Sequence, residues 1–358
     1  MSEFVFILGA GASKSAGAPI MKDFFDVAED LLNKNQFGED TDLIAKTFEC
    51  INFLKSTNSK TNINLNNLEE VFGLIELGYL LDLKYEIKKD DFAIYRQSII
   101  KLIVRTIEET RTFPFHSIPG DYNQIIKFIE TTNLCNTSII TFNYDNFLEI
   151  ALLYKQIPYN YSFDKVPNKE GIEIFKLHGS INWTICKEKK GGKIVGSKKI
   201  IPIYNITLLT SARDINNYNI NSSCASYFMK KNQTFEHEGV TYKFIEDNPF
   251  IIPPTWNKMA NNREILEVWK NAANELRDTK YIIIIGYSLP DSDSFFKYLL
   301  ALGMLSKTQI RKIIVINPDK STERKYRDIL AKGLEERFKF YPDLCNKTFD
   351  ILSKEIIV

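Results

Sequence analysis

Five short apolar runs punctuate the chain, at residues 5–8, 138–142, 172–177, 281–285 and 312–316. The last two, YIIII and KIIVI, are nearly unbroken β-branched hydrophobe. Strands this apolar are normally covered on both faces, as in a parallel sheet flanked by helices. Helical periodicity fills the intervals at 21–33, 122–131, 147–154, 263–276, 295–305 and 322–338. The alternation predicts an α/β protein built on a doubly wound parallel sheet. Two stretches interrupt it. Residues 39–111 keep a helical period with few strand signals and read as a helical insertion, whose boundary we place at 121. Residues 183–248, rich in Lys, Asn, Ser and Gly, read as an irregular insertion with a little β structure. The expected organisation is therefore a core of 1–38, 122–182 and 249–335, insertions at 39–121 and 183–248, and a C-terminal tail at 336–358.

Length and charge narrow the classes. The 358 residues are enough for a large core. Forty-six Lys and Arg against 45 Asp and Glu leave a net charge of +1, so nothing in the bulk charge favours a nucleic-acid partner. The run Lys187-Glu188-Lys189-Lys190 reads as solvated loop surface. Aromatic content of 13% indicates a packed protein and not a disordered one. No apolar stretch approaches the roughly 20 residues needed to span a bilayer, and no leader precedes the first strand, so the expectation is a cytoplasmic protein. The five cysteines, Cys50, Cys135, Cys186, Cys224 and Cys345, form no CxxC pair. That spacing argues against a zinc ribbon and for reduced, inert thiols.

Candidate chemistry lies at the strand ends, because open α/β sheets bind ligands outside the carboxyl ends of their strands. The first run empties into Gly9-Ala10-Gly11-Ala12-Ser13, followed by Gly17 and Pro19. A turn with so little side chain lets the backbone approach a phosphate and offers N–H groups to negative charge. Its register, GxGxxxxxG, differs from the dinucleotide fingerprint GxGxxG and lacks the Gly-Lys-Ser/Thr ending of a P-loop. The other strand ends carry Asn143-Tyr144-Asp145, His178-Gly179-Ser180, Gly286-Tyr287-Ser288-Leu289-Pro290-Asp291 and Asn317-Pro318-Asp319. Taken singly, an Asx residue after a strand is a turn former or a helix N-cap, and a single His is structural. The joint occurrence of five such ends, converging on one crevice, points to a ligand site. His116 and His237 read as structural or exposed, and Trp256 as packing.

GAGAS…GAP, TFNYD, LHGS, GYSLP and the Asn of VINPD occur in the order found in the sirtuin superfamily. In detail the set resembles the sirtuin-like NAD hydrolase domains of bacterial anti-phage defence systems. Glu69-Glu70, Pro253-Pro254 and Asp291 or Asp293 fit the same pattern. The resemblance implies a Rossmann-like core and NAD as substrate. Gly9, Ala10, Gly11, Ala12 and Ser13 would hold the diphosphate and nearby ribose. Asn143 would orient the nicotinamide ribose or the attacking water, Asp145 would contact the carboxamide, and His178 would be the general base. Gly286 and Ser288 belong to a phosphate- or ribose-contacting turn, and Asn317 would hold the adenosine ribose. Cleavage of the glycosidic bond develops oxocarbenium character, which calls for a rigid polar orienter and a base neutral near pH 7; Asn and His supply both.

The departures sharpen the expectation. Sirtuin deacylases carry T-Q-N-I-D where this chain has Phe142 and Tyr144, and D-F-R where it has Ile20-Met21-Lys22. The four-cysteine zinc module that normally follows the catalytic His is replaced by the irregular insertion, which holds Cys186 and Cys224 alone. No metal is expected, and water becomes the expected acceptor. The chain is then an NAD hydrolase that depletes NAD during infection. The alternatives are a protein deacylase or ADP-ribosyltransferase, and a non-enzymatic NAD or ADP-ribose sensor. Family analogy further implies a homo-oligomer, or a partner such as a HerA-like ATPase or another phage sensor, with no membrane and no direct nucleic-acid contact.

Overall fold

The computed structural model describes residues 2–57, 61–81, 89–113, 117–132, 136–163, 171–202, 233–237, 239–253, 263–290, 294–305 and 308–357. It divides into two compact units. One comprises Met1–Ala18, Thr112–His178 and Trp256–Val358; the other comprises Pro19–Arg111 and Gly179–Thr255.

The first unit is a seven-stranded parallel sheet. In chain order its strands are β1 (Phe4–Leu8), β2 (Thr137–Thr141), β3 (Tyr159–Tyr161), β4 (Ile172–Lys176), β5 (Tyr281–Ile285), β6 (Lys312–Ile316) and β7 (Phe338–Tyr341). Across the sheet the order is β7-β6-β5-β1-β2-β4-β3, with every neighbouring pair parallel. The chain thus fills one side of β1, with β4 entering between β2 and the edge strand β3, then returns to the other side and builds outward in the opposite direction. With right-handed crossovers this winding lays helices on both faces, which is the doubly wound, Rossmann-like arrangement. The point where the winding reverses falls between β1 and β5, in register from Phe4 opposite Tyr281 to Leu8 opposite Ile285. All five residues of β1 are buried, as are Ile282–Ile285 and Ile313–Ile316. Each such side chain contributes about 1.5–3 kcal/mol by burial, which fixes the strand ends as a rigid rim.

The expected strands all form, within a residue of their predicted ends. Helices α1 (Tyr122–Thr131), α2 (Phe147–Tyr154), α3 (Arg263–Asp278) and α4 (Ser294–Gly303) occupy the predicted intervals. Two edge strands were not expected. β3 is three residues long, too short for a periodicity signal. β7 lies where the amphipathic pattern predicted helix to residue 338; the helix runs only Ser321–Ile329, and the chain passes through a 3₁₀ segment, Lys332–Arg337, into the strand. The segment 336–358, expected as a tail, therefore supplies the sheet's outer strand and a short buried helix, Thr348–Leu352.

The second unit contains the helices Phe24–Asn33, Thr41–Thr57, Leu68–Leu81 and Lys89–Thr110 and begins at Pro19, so the first of these helices, expected in the core, falls in this unit. It also contains a four-stranded antiparallel sheet formed by Trp183–Lys190, Lys193–Pro202, Thr234–His237 and Val240–Phe244. This segment has more β structure than expected. Lys187–Lys190 lie on a strand and not in a loop; the hairpin turns at Gly191-Gly192, both at positive φ (54° and 79°), as a tight primed turn requires. Among the described residues, no helix is long and apolar enough to cross a membrane.

Candidate functional site

The turn after β1 sits at the sheet's switch point, and its backbone is locked to the end of β5. Gly9 N–H donates to the Ile285 carbonyl (3.0 Å), Gly11 N–H to the Gly286 carbonyl (2.9 Å) and Ala12 N–H to the Gly9 carbonyl (2.9 Å). A Cβ on Gly9 would lie 2.5 Å from Tyr287 Cα, one on Gly11 2.7 Å from Gly286 Cα, and one on Gly286 2.4 Å from Ala12 N, at φ +63°. These glycines let two backbone turns interlock. This corrects the sequence reading, which took the loop's N–H groups as free: those of Gly9, Gly11 and Ala12 are already spent on protein carbonyls. Half-buried Ala10 and Gly11 form the turn's more open part.

Side chains then tie this turn to the end of β2. Ser13 Oγ–H donates to Asp145 Oδ2 (2.7 Å), and its oxygen accepts from Asn143 Nδ2 (3.0 Å). With the serine proton so placed, the 2.8 Å contact with Tyr122 makes the phenol the donor and completes the hydroxyl's bonding capacity. Asn143 Nδ2 also donates to the Gly9 carbonyl (3.0 Å), a group that can only accept, which fixes the orientation of the carboxamide. The Asn143 N–H donates to Thr141 Oγ1 (3.1 Å), whose own hydroxyl donates to the Leu8 carbonyl (3.3 Å). Asp145 Oδ1 accepts the Phe147 N–H (3.1 Å) at the start of α2. Ser13, Asn143 and Asp145 are all buried. Burial holds the Asp145 carboxyl above its ordinary range against the opposing pull of Lys176 and Ser13, and burial also pushes the Tyr122 phenol well up. Asp145 thus joins the cluster to the start of α2 through an Asx turn, one residue before the N-cap Asn146.

A third element lies beneath the Asn143–Asp145 turn. Lys176, the last residue of β4, is about 1% exposed. Its ammonium donates to the Asp145 main-chain carbonyl and to Glu149 Oε1 (2.9 Å), which also accepts the Tyr161 hydroxyl (2.8 Å). Neither Lys176, Glu149, Tyr161 nor Tyr122 was among the sequence candidates. The available signal was charge set among apolar residues, Glu173 and Lys176 in IEIFKL and Glu149 in FLEIALLY; a buried charge demands a partner.

His178 follows β4 and is buried. Its imidazole meets Phe142 edge-on (centroids 5.2 Å, 73°) and Tyr144 at a tilt (6.1 Å). Phe142 in turn stacks on Tyr287 (4.2 Å, 5°), with Phe296 edge-on to both. The residues flanking Asn143 therefore carry the imidazole side of the site, while Asn143 and Asp145 carry the polar side. Ser288 is exposed beyond Tyr287, next to Leu289, which adopts positive φ (50°). Asn317 is buried, and its Oδ1 accepts the Asp319 N–H (3.0 Å), the Asx turn of the bland reading. Cys345 donates its thiol to the Gly11 carbonyl (3.4 Å), and burial pushes that thiol up to about 12, leaving it protonated and inert. Asp291, Asp293, Pro254, Trp256, His116, Cys135 and Cys224 lie outside the described residues. In the second unit, Gly179 (φ +80°) and Ser180 close against the Phe250 carbonyl, and Glu69 and Glu70 begin their helix under an Asn67 side-chain cap. Cys50 and Cys186 are buried.

The switch-point cluster and the parallel sheet define a Rossmann-like α/β protein with a strand-end site. Residues 137–232, which include Asn143, Asp145 and His178, match the family model described as SIR2-like domain. No curated protein matches the sequence. Among solved structures, the chain is similar to a crystal structure of Sir2 in complex with the inhibitor EX-527, 2'-O-acetyl-ADP-ribose and a deacetylated p53 peptide, at 11% identity and a TM-score of 0.36 over 98% of this chain and 93% of that one. It is also similar to a structure described by the structural basis for sirtuin substrate affinity, at 12% identity and a TM-score of 0.35 over 98% and 92%. At that distance the interpretation of the site rests on the family match and the geometry.

Proposed function

We propose that this protein is an NAD hydrolase that cleaves NAD to nicotinamide and ADP-ribose, and that it acts by depleting NAD in defence against phage. The observation that carries the reading is the Ser13–Asn143–Asp145 cluster at the switch point, with His178 one strand away, inside a segment that matches the SIR2-like domain. In this reading, Asn143 is held with a fixed carboxamide to orient the nicotinamide ribose or the water, and His178 takes the proton of the attacking water. The turn at Gly9–Ser13 faces the diphosphate through its open part, and Ser288 and Asn317 face the adenosine half. The aromatic group around the imidazole, Phe142, Tyr144 and Tyr287, keeps bulk water out and receives the flat nicotinamide. Activity would be restrained by self-assembly or by a partner protein such as a HerA-like ATPase.

The test is nicotinamide release from NAD by the purified protein, alone and with the products of neighbouring genes. Free ADP-ribose as co-product supports hydrolysis. An acyl-ADP-ribose or an ADP-ribosylated protein supports the transferase alternative instead. Binding of NAD with no turnover under any activating condition supports the sensor.

A further inference from the structure

The Asn143–Asp145 turn lies beyond the last residue of β2 and before the first of α2, outside both regular elements. Its side chains are fixed from above by Ser13 and Gly9. Its main chain is held from below by a buried cation. Lys176 is the last residue of β4, the strand next to β2, in register opposite Thr141, so its ammonium comes up directly under the turn. There it meets the Asp145 carbonyl and the Glu149 carboxylate, which Tyr161 also holds. The pair is about 1% and 3% exposed in its side chains. A buried ion pair is a poor way to stabilise a fold, because desolvation offsets most of the attraction and an apolar pair of similar volume does as well. What a point charge offers that an apolar pair does not is a directional grip on one carbonyl oxygen.

We propose that Lys176 is a positioning residue, which, oriented by Glu149, grips the Asp145 carbonyl and thereby sets the place of the Asn143 carboxamide and the Asp145 carboxylate in the site. The grip is local and geometric; its consequence for turnover rests on the NAD-cleavage reading. A misplacement of the orienting group by about 1 Å costs on the order of 100-fold in rate, while binding of a substrate held at many other points changes little.

The experiment compares Lys176→Met, Lys176→Arg and Glu149→Gln with the wild type by amide hydrogen exchange and by nicotinamide release. In Lys176→Met, exchange in the segment 142–147 is expected to rise about 10-fold or more, from the loss of a buried charge-assisted hydrogen bond, while amides of β1 and β5 hold their wild-type rates. Lys176→Arg, which keeps the cation, is expected to restore most of that protection. In turnover, kcat is expected to fall with KM within about 3-fold, again with partial rescue by Arg. Should Lys176→Met fail to fold, Glu149→Gln, which keeps shape and removes the orienting charge, gives the same local exchange pattern at smaller amplitude. Wild-type exchange in 142–147 in a folded Lys176→Met or Glu149→Gln, or exchange that rises uniformly across the sheet, overturns the proposal. A wild-type protein that releases no nicotinamide overturns the NAD reading alone, and the exchange readout still decides the role of Lys176.

Discussion

The two sides of the candidate site are built by opposite means. On the polar side the groups are held by hydrogen bonds: the Ser13 hydroxyl gives one and takes two, the Asn143 nitrogen gives two, and each Asp145 oxygen takes one. On the imidazole side the contacts are ring against ring, from Phe142 and Tyr144 to His178 and from Phe142 to Tyr287 and Phe296. Hydrogen bonds of this density fix direction, while aromatic packing fixes distance and excludes water. That division shows why residues 142–145 alternate aromatic and polar, since each pair faces a different environment.

The largest effects test whether the chemistry needs both sides. Asn143→Ala and His178→Ala are each expected to lower nicotinamide release by about 10²–10⁴-fold, measured as kcat on folded protein. A variant of either that keeps full activity removes its side from the mechanism. Next in size is Phe142→Ala, which empties the centre of the aromatic group. It is expected to cost about 3–5 kcal/mol of stability by denaturant titration, because Tyr287, Phe296 and His178 all lose a neighbour. Ser13→Ala should cost less, about 1–3 kcal/mol, since it leaves Asp145, Asn143 and Tyr122 each short of one buried partner. If Ser13→Ala proves the more damaging of the two, the polar side and not the aromatic one is the structural keystone. The smallest effect is a pH dependence. Because burial raises the folded carboxyl of Asp145 above its ordinary 3.8, its contribution is fully present below that value and is lost as pH rises through the folded value. The Tm of wild type relative to Asp145→Asn should therefore decline upward from about pH 4. A difference that grows with pH instead means the carboxylate, not the acid, is the favoured form.

Much of this was legible beforehand, for identifiable reasons. The runs at 5–8, 282–285 and 313–316 are wholly apolar and buried, which marks interior strands, and helices such as 122–131 and 147–154 carry unbroken amphipathic or apolar faces. The strand-end rule then named Ser13, Asn143, Asp145 and His178 without any contact being known, and the first three meet through hydrogen bonds. Hidden from sequence were features set by neighbours. Tyr159–Tyr161 is too short to show a period, and Phe338–Tyr341 follows a charged amphipathic stretch that carries the helical pattern into it. The lysine-rich hairpin at 183–202 reads as solvent-facing loop until its Gly-Gly turn is weighed against the alternation beside it. Lys176 and Glu149 sit in apolar segments and make sense only once the two elements are known to pack together. The glycines carried the opposite lesson: their position was plain, but the reason for them was the approach of the chain to itself.

That interlock has a consequence for how the molecule comes into being. β1 is made first yet lies in the middle of the sheet, and the carbonyls that receive Gly9 and Gly11 belong to Ile285 and Gly286. At ribosomal speeds of about 5–20 residues per second, the glycine turn waits on the order of tens of seconds for its counterpart to be synthesised. During that interval one border of the opening strand is bare, a surface that chaperones recognise and that other nascent chains can pair with. A nascent chain that has not yet reached Gly286 therefore lacks the assembled turn, and whatever this site does to its substrate is withheld until β5 has been made.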